Sequence, residues 1–253
     1  KWNSYESEVI KMKRFIGILQ FMTRIPIKAD VGFDEEFHKS IVYFPLVGFV
    51  IGLISFLIGV LALKIFDPFV TSILVVAGEV ILTGGLHIDG LGDTFDAIYS
   101  NRDKERMLEI MKDSRLGTNS LLAILFLVLI KIGLLNSLIS ANLMCLIIFM
   151  PMISRLAVIV MLYKTVTPRK VGMGNIFIGK ATLGMFITAT VYTSVILVLI
   201  SKFIFLSTNI NLIKLLSSIL AVMLFNQLFK KSVYKKIDGV TGDILGCSIE
   251  LGE

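Results

Sequence analysis

Charged residues are scarce in this sequence: Asp, Glu, Lys and Arg together make up 17% of the chain. A soluble domain usually carries about a quarter. Apolar residues, 55% of the chain, fall instead into long runs, several close to the roughly 20 residues that a helix needs to cross a bilayer. Such runs exclude an ordinary soluble domain and predict a multi-pass protein of the lipid bilayer.

Cysteine is scarce as well. The two cysteines, Cys145 and Cys247, lie far apart, which excludes a disulfide framework and a zinc-ligand spacing. The polar first 13 residues lack the pattern of a signal peptide. The net charge of +6 is interpreted as a record of membrane topology, so no nucleic-acid partner is expected.

Six apolar runs predict six spanning helices, and hence an all-α bundle that forms a single integral-membrane domain over residues 1–253. A shorter run, Phe15–Met22, predicts an interfacial or re-entrant segment. Val240–Leu251 predicts the start of a further helix, which is either a natural chain end or an incomplete seventh span. The six runs are Ile41–Leu63, Pro68–Thr83, Ser120–Leu138, Leu143–Tyr163, Ala181–Ser201 and Leu212–Phe229.

The basic residues indicate which side each loop faces. With a cytoplasmic N-terminus, residues 84–119, 164–180 and 230–253 lie inside, and residues 64–67, 139–142 and 202–211 lie outside. The inside segments hold thirteen Lys and Arg residues, whereas the outside segments hold Lys64 and Lys202. Because cytoplasmic loops carry such an excess, we expect a protein of the cell (inner) membrane whose polar segments all face the cytosol and its substrates.

The strongest candidate site is the acidic segment after the second predicted span. On a helix, Asp89, Asp93 and Asp96 lie on one face. Three adjacent carboxylates repel one another unless a cation is present, and Mg²⁺ prefers carboxylate oxygens. These aspartates are therefore predicted metal ligands, with a plain acidic surface loop as the alternative. Gly90 would let an anionic substrate approach the backbone, while His87 would either contact substrate or be a structural hydrogen-bonder.

Other polar residues lie beside or within the spans. Asp113 and Arg115 are expected either to bind metal and phosphate or to pair with each other as a structural clamp. Arg155 lies in the middle of an apolar run, where arginine is costly without an anion or a cavity. Its alternatives are a structural partner such as Glu79 and a role in phosphate binding. Asp243, in a Gly-rich stretch, is a candidate for a further metal or ribose contact.

The motifs of acyl transfer, redox and zinc hydrolysis are missing from the sequence, and the remaining pattern predicts metal-dependent phosphoryl transfer. A CDP-alcohol phosphotransferase is one alternative, but its Asp-Gly-x-x-Ala-Arg pattern fails at Asp93-Thr94, which follows Asp89-Gly90-Leu91-Gly92. A transporter is another. Transporters place polar groups at the midplane, whereas the polar residues here gather at one face.

An ordered set of segments runs nearly end to end: Leu19–Pro26, Phe44–Gly48, Thr83–Thr94, Arg102–Arg106, Ile110–Gly117, Ser154-Arg155 and Gly239–Gly246. This set resembles the cobalamin synthase family, the adenosylcobinamide-GDP ribazoletransferases. The chain departs from the family pattern at Gly92, where alanine is expected, and at Phe95-Asp96-Ala97, where Ala-Asp-Gly is common. The family's chains usually continue beyond the position of Glu253 with a further hydrophobic tail.

The resemblance implies a specific reaction, in which adenosylcobinamide-GDP is joined to α-ribazole or its 5′-phosphate, with Mg²⁺ as cofactor and release of GMP. The ribazole 5′-hydroxyl would attack the phosphorus on the cobinamide side. The sequence leaves open which acceptor is used and whether the chain forms a homo-oligomer. The expected catalytic residues are Asp89, Asp93, Asp113 and Arg115, the expected cofactor- and substrate-binding residues are Gly90, His87, Arg155 and Asp243, and the expected metal ligands are Asp89, Asp93 and Asp96.

Overall fold

The computed structural model describes residues 2–204 and 212–253, with side chains for residues 8–201 and 213–253. Within these ranges the chain is all helical and contains no β-strand, as predicted. One short 3-10 helix precedes α2, another precedes α7, and a further one lies between α7 and α8. The ten α-helices are α1 (Trp2–Met22), α2 (Phe44–Ala62), α3 (Pro68–Thr83), α4 (Leu86–Ile98), α5 (Lys104–Ile110), α6 (Thr118–Ser140), α7 (Met150–Leu162), α8 (Leu183–Ile204), α9 (Leu212–Ile237) and α10 (Gly242–Gly252).

Five of the six predicted spans have the length and hydropathy of a membrane-spanning helix, which makes the chain a multi-pass membrane protein. The sixth, α3, has 16 residues and qualifies only together with α4, which is bent by 90° from it. Few residues of α6, α8 and α9 are buried, 11%, 17% and 17% of the most apolar stretch of each, as expected of apolar helices that face lipid. The five spans are Phe37–Ala62, Thr118–Ser140, Met144–Leu162, Leu183–Ser201 and Ile213–Ile237.

Two shorter predicted segments pack into the bundle. Phe15–Met22 forms the last two turns of α1, where Ile18 and Met22 are buried in the core. The C-terminal helix α10 has 11 residues and packs against α4, α7 and α9; that it begins a further span stays a prediction.

The central helix of the bundle is α7, almost all of which is buried. α7 and the 3-10 helix before it, Met144–Ile148, meet α2 at two glycines. A Cβ atom on Gly48 would lie 2.2 Å from the carbonyl oxygen of Pro151, and one on Gly52 would lie 2.3 Å from that of Ile148. Small residues spaced four apart allow membrane helices to approach this closely. The α2–α7 pair therefore forms the core on which the other helices pack.

The bend between α3 and α4 is made by Gly84 and Gly85, with φ angles of +65° and +72°. Glycine reaches this left-handed region without the penalty that a Cβ atom brings. A side chain on Gly84 would also collide with Arg24, whose Nε atom lies 2.3 Å from the Cβ position. Because of the bend, α4 lies across the end of the bundle and does not continue the direction of α3.

The three segments predicted to share one face of the membrane meet at the same end of the bundle. The backbone N–H of Val240 donates to the carbonyl of Val166 (2.9 Å), and Lys104 pairs with Asp238 (2.8 Å). The α10 part of residues 230–253 then turns back into the bundle. Of the segment 202–211, predicted for the opposite face, residues 205–211 and the side chain of Lys202 lie outside the described residues.

Candidate functional site

The candidate site is built where α10 packs on α4. A Cβ atom on Gly90 would lie 2.7 Å from the carbonyl oxygen of Asp243, and one on Gly246 would lie 3.2 Å from that of His87. This close approach brings Asp243, in the first turn of α10, beside the acidic face of α4. In the structure Gly90 serves helix packing, and its contact with substrate stays a prediction.

A cavity of about 360 Å³ opens beside these two helices, and three charged residues line it: Asp89, Arg169 and Asp243. Asp93 lies next to them, half-buried on α4. Burial, together with repulsion by Asp89 and Asp243, raises the pKa of Asp93 to about 7. Burial also raises the pKa of Asp243, although Arg169 offsets part of this effect. The clustered carboxylates would therefore be stabilised by a cation.

Arg169 is the functional candidate that the sequence analysis missed. Its Nη1 atom lies 2.7 Å from the Asp243 carboxylate, and its side chain is 11% exposed. Its Nε and Nη2 atoms are buried and have no hydrogen-bond partner in the described part of the chain. Buried donors left unpaired cost about 1–3 kcal/mol each, so this guanidinium is prepared to bind an anion. The only signal in the sequence is a basic pair, Arg169-Lys170, which indicates membrane topology and not a site.

The carboxylates suit a metal that takes part of its coordination from substrate. Among the residues that the structure describes, no three His, Cys, Asp or Glu side chains converge closely enough to hold an ion by themselves. Mg²⁺ commonly uses one or two carboxylates and completes its shell with waters and phosphate oxygens. Asp89 and Asp93, with Asp243 opposite, are the residues that could hold it in this way.

The third predicted ligand, Asp96, is already engaged. Its carboxylate accepts hydrogen bonds from the backbone N–H groups of Gly117 (2.7 Å) and Ser120 (2.9 Å). These N–H groups lie at the start of α6 and have no acceptor within that helix. A carboxylate at this position also interacts favourably with the helix dipole. In this structure Asp96 caps α6, and metal binding by it stays a prediction.

Asp113 and Arg115 pair with each other at the surface, at 2.5 Å between Oδ2 and Nη2. This is the clamp that the sequence left open as an alternative. Hydrogen bonds from Arg115 lower the pKa of Asp113 to about 2. The Arg115 side chain is 84% exposed, so solvent screens the pair and its contribution to stability is small. A catalytic role for either residue stays a prediction.

His87 and Arg155 form a buried hydrogen bond with each other. Arg155 Nη2 lies 3.3 Å from His87 Nδ1, and because arginine can only donate, Nδ1 must accept. The His87 proton is then on Nε2. Arg155 Nη1 also donates to Glu253 (2.7 Å) and to the carbonyl of Pro151 (3.1 Å). The partner suggested from sequence, Glu79, does not form an ion pair with Arg155; Glu253 does.

Arg155 belongs to a buried charge cluster that consists of Glu79, Lys131, Arg155, Glu250 and Glu253 around a small internal cavity. Lys131 Nζ lies 2.8 Å from Glu250 and 2.5 Å from Glu253. Glu79 makes no ion pair within 4 Å among the described residues. The cluster ties the last turn of α10 to α6 and α7, while the first turn of the same helix carries Asp243.

The model of the cobalamin-5-phosphate synthase family matches residues 14–253. The chain belongs to this family. The adenosylcobinamide-GDP ribazoletransferase of Clostridioides difficile (strain 630) is 68% identical to it over 242 residues, which cover 96% of this chain and 94% of that protein. Enzymes of the same name from Alkaliphilus metalliredigens (strain QYMF) and Clostridium novyi (strain NT) are 44% and 38% identical, over 96% of this chain and 93% and 94% of theirs.

No solved structure matches the chain. The family predicted from the ordered motifs is confirmed, and with it the prediction that the chain is an enzyme of cobalamin synthesis. The matched residues include α4, α10 and the segment that carries Arg169.

Proposed function

We propose that the chain catalyses the reaction for which its relatives are named, the transfer of the adenosylcobinamide phosphate group from adenosylcobinamide-GDP to α-ribazole or its 5′-phosphate. A ribose hydroxyl that both acceptors carry forms a new bond to the cobinamide-side phosphorus as the pyrophosphate bond breaks and GMP leaves. The 5′-hydroxyl expected from the sequence exists in α-ribazole and is absent from its 5′-phosphate, so a hydroxyl on the ribose ring is the proposed nucleophile. The observation that carries the proposal is the family match over residues 14–253. The cavity beside α4 and α10 supports it, because phosphoryl transfer depends on positioning and on neutralising charge.

Mg²⁺ is the proposed cofactor, and Asp89 and Asp93 are its proposed protein ligands. When bound, the ion would neutralise charge on the pyrophosphate and stabilise the leaving oxygens. The support is the donor set itself: burial of Asp93, together with repulsion by Asp89 and Asp243, raises the pKa of Asp93 to about 7. Asp96, already bonded to the start of α6, is not needed in this arrangement.

Arg169 and Asp243 are the proposed partners of the reacting groups. The free Nε–H and Nη2–H groups of Arg169 would donate to phosphate oxygens, which match the planar fork of a guanidinium. Asp243 fixes the guanidinium at 2.7 Å. It also lines the cavity, which supports it as the proposed acceptor of the proton from the attacking hydroxyl. Arg155 is assigned to the buried charge cluster, since its guanidinium already bonds Glu253, Pro151 and His87.

The proposed orientation puts this cavity on the cytosolic side of the membrane. Its support is the excess of basic residues in the three polar segments, which meet at the end of the bundle where the cavity lies. Both substrates are water-soluble, so a cytosolic opening would give them direct access.

The test is GMP release by the purified full chain supplied with adenosylcobinamide-GDP, α-ribazole and Mg²⁺. The wild type should release GMP only when all three are present. Asp89→Asn and Asp93→Asn should each lower turnover by at least ~100-fold, as loss of a preorganised charge does, with unchanged thermal unfolding. Glu105→Gln, at an exposed acid of α5, is the matched control and should be silent. Near-normal turnover in either aspartate variant would refute the metal assignment.

A further inference from the structure

The cavity has a charged mouth and an apolar interior. Asp89, Arg169 and Asp243 form the mouth. The interior, here called the apolar slot, is lined by hydrophobic side chains from α1, α2, α7, α10 and the segment before α8. These side chains include Phe21, Phe44, Val158, Phe177, Leu245 and Ile249.

Phe177, which is 2% exposed, is one of the aromatic residues that line the apolar slot. Its ring packs edge-to-face on Phe21 (centroids 5.6 Å apart) and on Phe44 (5.3 Å). The loop that carries it is fixed on α10, because a Cβ atom on Gly174 would lie 2.7 Å from the Cα atom of Gly242. The aromatic wall and the charged first turn of α10 are therefore held together as one unit.

We propose that the apolar slot binds the aromatic base of the ribazole acceptor. This inference rests on the proposed function, which supplies the two candidate ligands with aromatic bases. Ribazole is a ribonucleoside of a benzimidazole, a flat ring with few polar atoms, and its ribose would then lie at the charged mouth. Ligand sites of this kind are commonly apolar cavities of about 300–1,000 Å³ with a few polar groups that fix orientation.

The guanine base of the donor fits the apolar slot less well. Guanine carries several hydrogen-bonding groups on its edges, and burying them without partners is unfavourable. Of the two uncharged polar side chains at the cavity, Asn175 donates to the carbonyl of Arg169 (3.0 Å) and His87 accepts from Arg155 through Nδ1, so few of their hydrogen-bonding atoms are left for a guanine edge. The corrinoid ring is far larger than a cavity of about 360 Å³. Of the groups in the two substrates, the benzimidazole matches the slot best.

The proposed position of the base also sets the direction from which each substrate reaches the carboxylates. With the base in the apolar slot, the ribose and its hydroxyls lie toward the mouth, where Asp243 and Arg169 pair with each other at 2.7 Å. The donor pyrophosphate would approach from the exposed side, toward Asp89. Acceptor and donor would thus meet at the carboxylates from opposite directions, as in-line displacement requires.

The test measures binding of α-ribazole to the detergent-solubilised full chain by calorimetry. Phe177→Leu keeps an apolar side chain of similar volume but removes the flat ring. It should weaken α-ribazole binding on the order of tenfold, the usual scale for loss of a base–aromatic contact, and should raise the KM for α-ribazole without changing the KM for the donor. Phe229→Leu, at a ring that stacks on Phe225 away from the cavity, is the matched control and should change neither.

A measurement on the wild type avoids any effect of the substitution on folding. Free benzimidazole should inhibit GMP release competitively with α-ribazole and not with adenosylcobinamide-GDP. If Phe177→Leu raises the KM of the donor instead, the slot binds guanine and the inference is wrong. If α-ribazole affinity is unchanged in that variant and GMP release is normal, the apolar slot does not bind the base, while the proposed reaction stands. If α-ribazole binding depends on Phe177 but no GMP is released by the wild type, the proposed reaction is wrong, while the assignment of the apolar slot to the base stands.

Discussion

Replacing Glu253 with glutamine tests whether the buried charge cluster is held by its ion pairs. The Glu253 carboxylate is 6% exposed and bridges two cations, at 2.5 Å from Lys131 Nζ and 2.7 Å from Arg155 Nη1. Glutamine keeps the size of the side chain and removes its charge. Arg155 would then lose its only ion pair in the described residues. Breaking a buried pair in this way usually costs about 3–5 kcal/mol, because an uncompensated charge is left inside.

The cluster contains its own matched control. It holds two cations, Lys131 and Arg155, and three carboxylates, of which Glu79 forms no ion pair with any residue that the structure describes. Glu79→Gln makes the same chemical change and the same change in net charge as Glu253→Gln, but breaks no pair. We therefore expect it to alter the free energy of unfolding by less than ~1 kcal/mol, or to stabilise the protein, since burying an unpaired carboxylate is unfavourable.

The measurement is reversible unfolding of the full chain in mixed micelles, followed by the loss of tertiary structure. Wild type and Glu79→Gln should have similar free energies of unfolding. The free energy of unfolding of Glu253→Gln should be lower by about 3–5 kcal/mol. A double-mutant cycle with Lys131→Met should show non-additivity of at least ~0.5 kcal/mol, as residues in one network do. Equal destabilisation by Glu79→Gln and Glu253→Gln would refute the reasoning, because it would mean that only total charge matters.

Three further predictions concern α4 and the mouth of the cavity. Arg169→Lys, which loses the planar fork, should lower GMP release by about tenfold or more, whereas Arg115→Lys at the surface should change it less than ~3-fold. Gly90→Ala should destabilise the protein by about 1–3 kcal/mol in a thermal unfolding assay, because the new Cβ atom would meet the backbone of α10; Gly133→Ala, with open space around it, should not. Asp96→Asn should retain most Mg²⁺-dependent turnover, since an amide oxygen can still cap α6; a loss like that of Asp93→Asn would make Asp96 a metal ligand.

The spans could be predicted because their requirements are local. A run of about 20 apolar residues is visible without knowledge of the partners of the helix, and the predicted limits fall within a few residues of most helices. The limits of α3 were exact. Asp67 caps its start with its side chain, Pro68 occupies the first turn, and Gly84 ends it in a left-handed conformation, and each of these signals is readable from the sequence.

The contacts within the site were beyond prediction because they join distant parts of the chain. Nothing near Arg155 in sequence indicates Glu253, 98 residues away, as its partner. Asp96 looked equivalent to Asp89 and Asp93 by helical spacing, yet the start of α6 takes up its carboxylate. Arg169 lay in a loop whose charge was explained by topology. The aspartate pattern located the site, while tertiary packing decided which side chains are free to do chemistry.

The position of α10 in the chain bears on how the protein is made. Ribosomes deliver α4, α6 and α7 to the membrane well before α10 is synthesised, so Lys131 and Arg155 must wait without the glutamates that neutralise them. Unpaired cations at membrane depth are unfavourable, and intermediates that expose such groups are prone to misassembly. When α10 docks, the same event pairs these cations and brings Asp243 to α4. Chains that stall during biogenesis would therefore be both unstable and inactive, and cells would not accumulate a folded but incompetent form.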